Sequence, residues 1–283
     1  MQPTCRRHHH QEWLGSLVVT AERETVGLVR MSKTENPRYF INSLERGLSI
    51  LHSFTSTEHG YSLSELAAIN KISHATANRY IFTLKELGYI IQNPLTKKYQ
   101  LTVKITAFAS SLLRNMDLRS RLMPHMIDVR KKFDVATNCA ILNNTDIIYL
   151  ARISSSNFSE IDFTLGSIAP AYCTSLGKAI LAFSDSAAAH RIVDETRFVS
   201  HTPYTIQNGE QFLAELDVTR RRGYAVNNQE MRLGLTSLAV PVFHGPKVEG
   251  AFGVTFNVNI ERDDAWRSAL IESIVDVGKK TSL

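Results

Sequence analysis

Ser73, His74, Thr76, Asn78 and Arg79 crowd one short stretch of this chain. Their spacing puts them on the outward side of a helix whose inward side carries Ala77, Tyr80, Ile81, Leu84 and Leu87. Hydroxyl, imidazole, amide and guanidinium groups suit the edges of DNA bases. Thr76 and His74 can donate or accept hydrogen bonds there, and Arg79 can pair with guanine or with a phosphate. Further on, Lys97 and Lys98 form a basic pair suited to a phosphate backbone. A solvated helix face has the same composition, so the helix alone decides nothing. The basic hairpin that follows it favours contact with DNA.

A second chemistry begins at residue 173. Residues 173–182 open a helix at Cys173, Thr174 and Ser175, and the first turn of a helix exposes N–H groups that can seat a carboxylate. Cys173 also admits an enzymatic reading, as a thiol nucleophile with His190 or His201 as base. That reading needs a base within hydrogen-bond reach and a lowered thiol pKa. The helix start offers the second, and no spacing secures the first. A small buried thiol is the commoner outcome. The run His8-His9-His10 can bind a metal, but a mobile polar tail accounts for it more simply. Nothing in the sequence calls for a cofactor or a metal, and a non-enzymatic role is expected.

These residues need elements to position them. In residues 61–101, Ser62 or Ser64 caps a helix carrying Leu66, Ala67 and Ile69, and Asn70-Lys71 makes a turn. Ser73 caps the next helix, which Gly88 ends. A β-like run at 89–91, a turn at 93–98 and a returning strand at 99–101 complete a winged helix-turn-helix. An earlier amphipathic helix, with Ile41, Leu44, Leu48, Ile50 and Leu51 and with Ser43 as a possible cap, is expected to close its core. The domain plan is a disordered tail over 1–38, the winged module over 39–102, a linker helix over 103–120 and a second domain over 121–283. In the tail, Met31 reads as a second and more natural start. The linker carries Ile105, Phe108 and Leu112 on an apolar face that predicts a homodimer, with a bend near Asp117 and a helix broken or restarted at Pro124.

From residue 135 the period changes. Strands are expected at 135–142, 147–153, 224–227, 236–243 and 250–257, and helices at 173–182, 184–197, 208–222 and 262–277. The fold class is α+β in two domains, the second a mixed α/β domain with a mainly antiparallel sheet. At 283 residues, 43% hydrophobic and 21% charged, the chain has the composition of an ordinary globular protein. The net charge of +5 permits nucleic acid as a partner without requiring it. Three cysteines are too few for a disulfide framework, and no stretch approaches the roughly 20 apolar residues of a membrane helix. A cytoplasmic setting away from membranes follows.

From about residue 39 to its end the chain resembles the IclR family of transcriptional regulators. The resemblance rests on residues 43–51 (SLERGLSIL), 83–89 (TLKELGY), 170–182 (PAYCTSLGKAILA) and 222–226 (RGYAV). It implies a winged helix-turn-helix, a dimer-forming linker helix and a GAF-like effector-binding domain. It further implies tetramers as dimers of dimers, double-stranded operator DNA as partner, and control of operons, often catabolic, by small organic or aromatic acids. By the matching motifs the effector pocket lies beside the turn at Ser175 and Leu176, and Asn227, Ser237, Thr255 and Asn257 line it, with Leu150 and Ile153 as apolar walls. Asn227 stands where some relatives are acidic and Ser237 where some have cysteine. The rival to this reading, besides the thiol enzyme, is an architectural DNA-binding protein without an effector.

Overall fold

A computed structural model describes residues 37–57, 59–108, 117–156, 164–258 and 263–283. The expected tail up to residue 36, with His8–His10 and Met31, lies outside them. The chain divides into two units, Met1–Ala109 and Ser110–Leu283, each taken by itself below.

In the first unit, α1 (Asn42–Ser53), α2 (Leu63–Ile69) and α3 (His74–Glu86) precede a hairpin of β1 (Ile90–Gln92) and β2 (Tyr99–Leu101). Ser62, not Ser64, caps α2: its hydroxyl accepts from the Glu65 N–H, and the Glu65 carboxylate accepts from the Ser62 N–H. Ile50, Phe54, Leu66, Ile81, Leu84 and Ile90 form the core. The wing is tied to the start of α2 by two backbone hydrogen bonds between Tyr61 and Tyr99. Gly60 makes this approach possible, because a Cβ there would lie 2.1 Å from the Tyr99 carbonyl oxygen.

Three expectations fail here. Only the C-terminal turn of α1 meets the core, so Ile50 is buried while Ile41, Leu44 and Leu48 stay exposed. Ile41, with no side-chain cap, stands at its start, and Ser43 lies inside the helix. Leu87 is also exposed, because α3 has already reached its C-cap there. Beyond the wing a 3-10 turn (Val103–Ile105), started by the Thr102 side chain, leads into helical residues 106–108. The remainder of the expected linker, Leu112 included, lies outside the described residues until 117.

The second unit begins its described part with α4 (Asp117–Phe133), which runs unbroken through Pro124. Proline removes one helical hydrogen bond. Leu118, Leu122, Met126, Val129 and Phe133 recur at helical spacing and are all buried, and that packing outweighs the loss. Since Leu118 belongs to this core, residues 117–120 belong to the second domain and not to the linker.

The remaining elements are β3 (Ala136–Asn143), β4 (Asp146–Ile153), β5 (Ile168–Pro170), α5 (Ser175–Phe183), α6 (Ser186–Glu195), α7 (Gly209–Arg222), β6 (Ala225–Asn228), β7 (Leu235–His244), β8 (Lys247–Asn257) and α8 (Asp264–Thr281). The strands form one antiparallel sheet in the order β5-β4-β3-β8-β7-β6. On one face, residues of α4 and α8 pack with Cys139, Leu150, Val240, Phe252 and Val254. On the other, α5 lies against the sheet, and residues of α6 and α7 share its core. Helix α5 is apolar almost all round, and every residue from Ser175 to Ala182 is buried. Gly177 lets it come this close, since a Cβ there would sit 2.3 Å from the Ala171 carbonyl oxygen.

Candidate functional site

Two surfaces qualify, one in each unit. In the first, α3 presents His74, Asn78 and Arg79 to solvent, and Lys97 is exposed at the wing tip with Lys98 half-buried behind it. The tip is shaped by Asn93, whose side-chain oxygen accepts from the Leu95 and Thr96 N–H groups. Arg79 makes no ion pair with any described residue. Ser73 and Thr76 are partly spoken for. The Ser73 hydroxyl accepts from the Thr76 N–H, and the two hydroxyls lie 2.8 Å apart. Ser73 therefore fixes the start of α3, while His74, Asn78 and Arg79 remain the freer groups. The ring of His74 touches the Ser64 hydroxyl at 3.4 Å.

In the second unit a cavity of about 220 Å³ opens between the start of α5 and the sheet. Ser175, Leu176, Asn227, Ser237 and Thr255, which the family resemblance implies for an effector pocket, all line it. Leu150, Ile153 and Asn257 do not. A β-bulge explains the first two: Ala140 pairs with Tyr149 and Cys139 with Ala151, which leaves Leu150 unpaired between them. Strict alternation would place Leu150 and Ile153 on opposite faces. With the extra residue, both join the core under α4 and α8, and Tyr149 and Arg152 face the cavity instead. Asn257 ends β8 beside Leu235, one step past the lining residue Thr255 on that face.

The residues missed by sequence reasoning are the more telling ones. Arg152, Asn138 and Tyr149 line the floor; Thr174, Met231, Arg232, Leu235 and Gly253 complete the wall. The signal for Arg152 was present, as a charge set in the otherwise apolar run IIYLARI. Its Nη1 donates to the Asn138 side-chain oxygen (3.0 Å), and Asn138 Nδ2 donates to Thr255 Oγ1 (3.2 Å). Thr255 Oγ1 lies 2.9 Å from Ser237 Oγ, so one hydrogen-bonded row crosses four strands. Burial lowers the Arg152 pKa from its ordinary value, against the raising influence of Tyr149. The same cause pushes the Tyr149 phenol up to about 12.

The opposite wall is the N-terminus of α5. Thr174 caps it by accepting from the Gly177 N–H (3.1 Å), which leaves the N–H groups of Ser175 and Leu176 without helical acceptors. Asn227 pins this wall to the next loop: its amide nitrogen donates to the Cys173 carbonyl, and its oxygen accepts from the Glu230 N–H (3.0 Å). Below it Lys178, 1% exposed, is paired with Glu230 and donates to the Val226 carbonyl (3.1 Å). The arrangement can hold a small anion. Among the described residues the lining contains two guanidinium groups and no carboxylate.

Nucleophilic chemistry at Cys173 finds no support in this geometry. Burial, with the Glu230 charge behind it, pushes the thiol up to about 12, and its sulfur lies near the Pro170 carbonyl and Met231. His190 is turned to Ser186 and His201 stacks on Tyr172, so neither serves as its base.

Residues 43–94 match the profile of the IclR helix-turn-helix domain, and residues 110–283 that of the bacterial transcriptional regulator IclR C-terminal domain. Over 239 residues the chain is 28% identical to the Pca regulon regulatory protein of Pseudomonas putida, covering 84% of this chain and 80% of that one. It is also 28% identical, over 248 residues, to the p-hydroxybenzoate hydroxylase transcriptional activator of Acinetobacter baylyi, covering 86% and 90%. Among solved structures, a transcriptional regulator from Rhodococcus sp. RHA1 superposes with a TM-score of 0.70 at 26% identity, over 86% of this chain and 97% of that one.

Proposed function

Because the chain belongs to the IclR family of bacterial transcriptional regulators, we propose that it controls a catabolic operon in response to a small organic or aromatic acid held in the cavity beneath α5. The carrying observation is the cavity itself: enclosed by sheet and helix, lined by hydroxyls, amides and two arginines, and without a carboxylate among its described residues. An engineered cavity of roughly 150 Å³ admits benzene, so 220 Å³ is commensurate with a one-ring or short-chain acid. The name of the Acinetobacter relative, a p-hydroxybenzoate hydroxylase transcriptional activator, supports the same class. An architectural DNA-binding protein would have no use for such a cavity. No described helix is long and apolar enough to cross a membrane, and the protein is taken to act in the cytoplasm.

DNA binding is assigned to α3 and the wing, through His74, Thr76, Asn78, Arg79, Lys97 and Lys98, with Ser73 holding the helix start. Two modules meeting two half-sites require at least a homodimer. Exposed Val103 and Phe108 at the start of the linker support one, and a dimer of dimers extends the same reading to a tetramer. Sedimentation should find a dimer or larger at micromolar concentration; a monomer would remove this part.

The effector reading is tested by a thermal-shift screen over small carboxylic and phenolic acids, followed by operator gel shifts with each stabilising acid. A ligand selective for the folded state raises the melting temperature with the logarithm of its excess over Kd. The expected result is at least one acid that both stabilises the protein and changes its operator affinity. Stabilising acids that leave operator affinity untouched would refute regulation through this cavity.

A further inference from the structure

Arginine 152 is held on one side only. Its Nη1 is engaged by Asn138, while its Nε and Nη2 are buried with no hydrogen-bond partner among the described residues. A buried donor left unpaired is destabilising, more so when it carries charge. The adjacent asparagine has no freedom to relieve this, because its nitrogen is committed to Thr255 and its oxygen to Nη1. The guanidinium is thus fixed in orientation by a row of hydrogen bonds, lines the cavity, and keeps one edge, Nε with Nη2, unused. That edge presents two roughly parallel N–H donors at the spacing of the two oxygens of a carboxylate.

Resting on the effector reading above, we infer that the Nε–Nη2 edge of Arg152 is the carboxylate anchor of this cavity, so that it selects monocarboxylates over their neutral amides. An amide offers one acceptor and, on the other arm, a donor that would face a guanidinium donor. The body of the acid then lies toward Leu176 and Leu235, and the hydroxyls of Ser175 and Ser237 can meet a further polar group. This assignment moves the carboxylate from the N-terminus of α5, where sequence reasoning alone would seat it, to the sheet. A carboxylate is preferred to phosphate because the unpaired edge is a single fork in a small cavity.

The test uses the full chain with benzoate, 4-hydroxybenzoate and pyruvate, each against its amide, by calorimetry and thermal shift. At least one acid should bind, and its amide should bind far more weakly. Arg152→Gln should weaken the acid by about 10- to 150-fold, the loss expected for charged hydrogen bonds. Arg152→Lys keeps the charge but loses the fork, should lose most of the same affinity, and decides the matter if the glutamine variant does not fold. Acid affinity unchanged in both variants, or amides binding as tightly as acids, would overturn the anchor. If Ser175→Glu alone then abolished binding, the cavity would stand and only the anchor would fall. If none of the acids and amides bound the wild-type chain, both readings would fall together.

Discussion

Arg79 and Lys97 are both exposed cations of the first unit, yet they are assigned different work. Arg79 stands on the outward side of α3 and Lys97 at the wing tip, where its backbone takes a left-handed turn (φ 58°). If Arg79 reads a base, Arg79→Ala should weaken operator binding by about 1–3 kcal/mol and leave random DNA less affected. Lys97→Ala should weaken all sequences alike and lower the salt slope by about one. Gel shifts over a salt series separate the two; equal losses on operator and random DNA for Arg79→Ala would end its base-reading role. The exposure of Arg79 was legible because it follows from the periodicity of a short amphipathic helix, and that of Lys97 because it stands in the turn between two strands. The cap by Ser73 was legible too, as a serine standing just before a helix, whereas the contact between the Ser73 and Thr76 hydroxyls, which partly occupies both, was not.

At the level of elements, the longer strands of the second unit were legible from their alternation or apolar runs, while the three-residue β5 and the places where alternation stops were not. The bulge at Leu150 is the chief case: inserting one residue reverses the face of everything beyond it, and nothing in IIYLARI marks where the insertion falls. The unbroken α4 is the other, because Pro124 argues locally for a break and only tertiary packing overrules it. Helix α5 owes its seat to a comparable hidden feature, the buried pair of Lys178 and Glu230. Removing one partner strands the other charge in the core, so Lys178→Met should cost about 3–5 kcal/mol. Replacing Glu230 by Gln in the same chain should recover much of that loss. Urea midpoints of the single and double variants check this, and a single variant as stable as the parent would show that the pair carries no such penalty.

On the scale of the whole molecule, four buried groups link stability to alkaline pH: Cys139, Tyr149, Tyr172 and Cys173 are each pushed up to about 12, burial being the first cause in every case. Raised folded values mean that the native state keeps protons which the unfolded chain releases above about pH 9 for thiols and about 10 for phenols. Their stability is therefore full below pH 9 and is lost as pH rises through 12, at about 1.4 kcal/mol per unit for each such group. Denaturant midpoints of Cys173→Ala should fall less steeply above pH 9 than those of the parent; identical slopes would mean that the thiol ionises as freely folded as unfolded. The proposed effector site lies in the same unit. On that proposal a bound acid ties the start of α5 to the sheet, and it can alter DNA binding only by stabilising one state of the protein over another. Such coupling amounts to about 1–3 kcal/mol, or roughly 5- to 150-fold in operator affinity. Ser175 is the residue at which to break it: it lines the cavity at the first turn of α5, where an acidic side chain suits the helix dipole. Ser175→Glu should fill the cavity and repel an incoming carboxylate while leaving α3 and the wing to bind operator. Operator affinity measured with and without the stabilising acid should then be the same for this variant and different for the parent. An undiminished response would take Ser175 out of the site, and an undiminished response in Arg152→Gln and Ser237→Val as well would place the effector somewhere other than beneath α5.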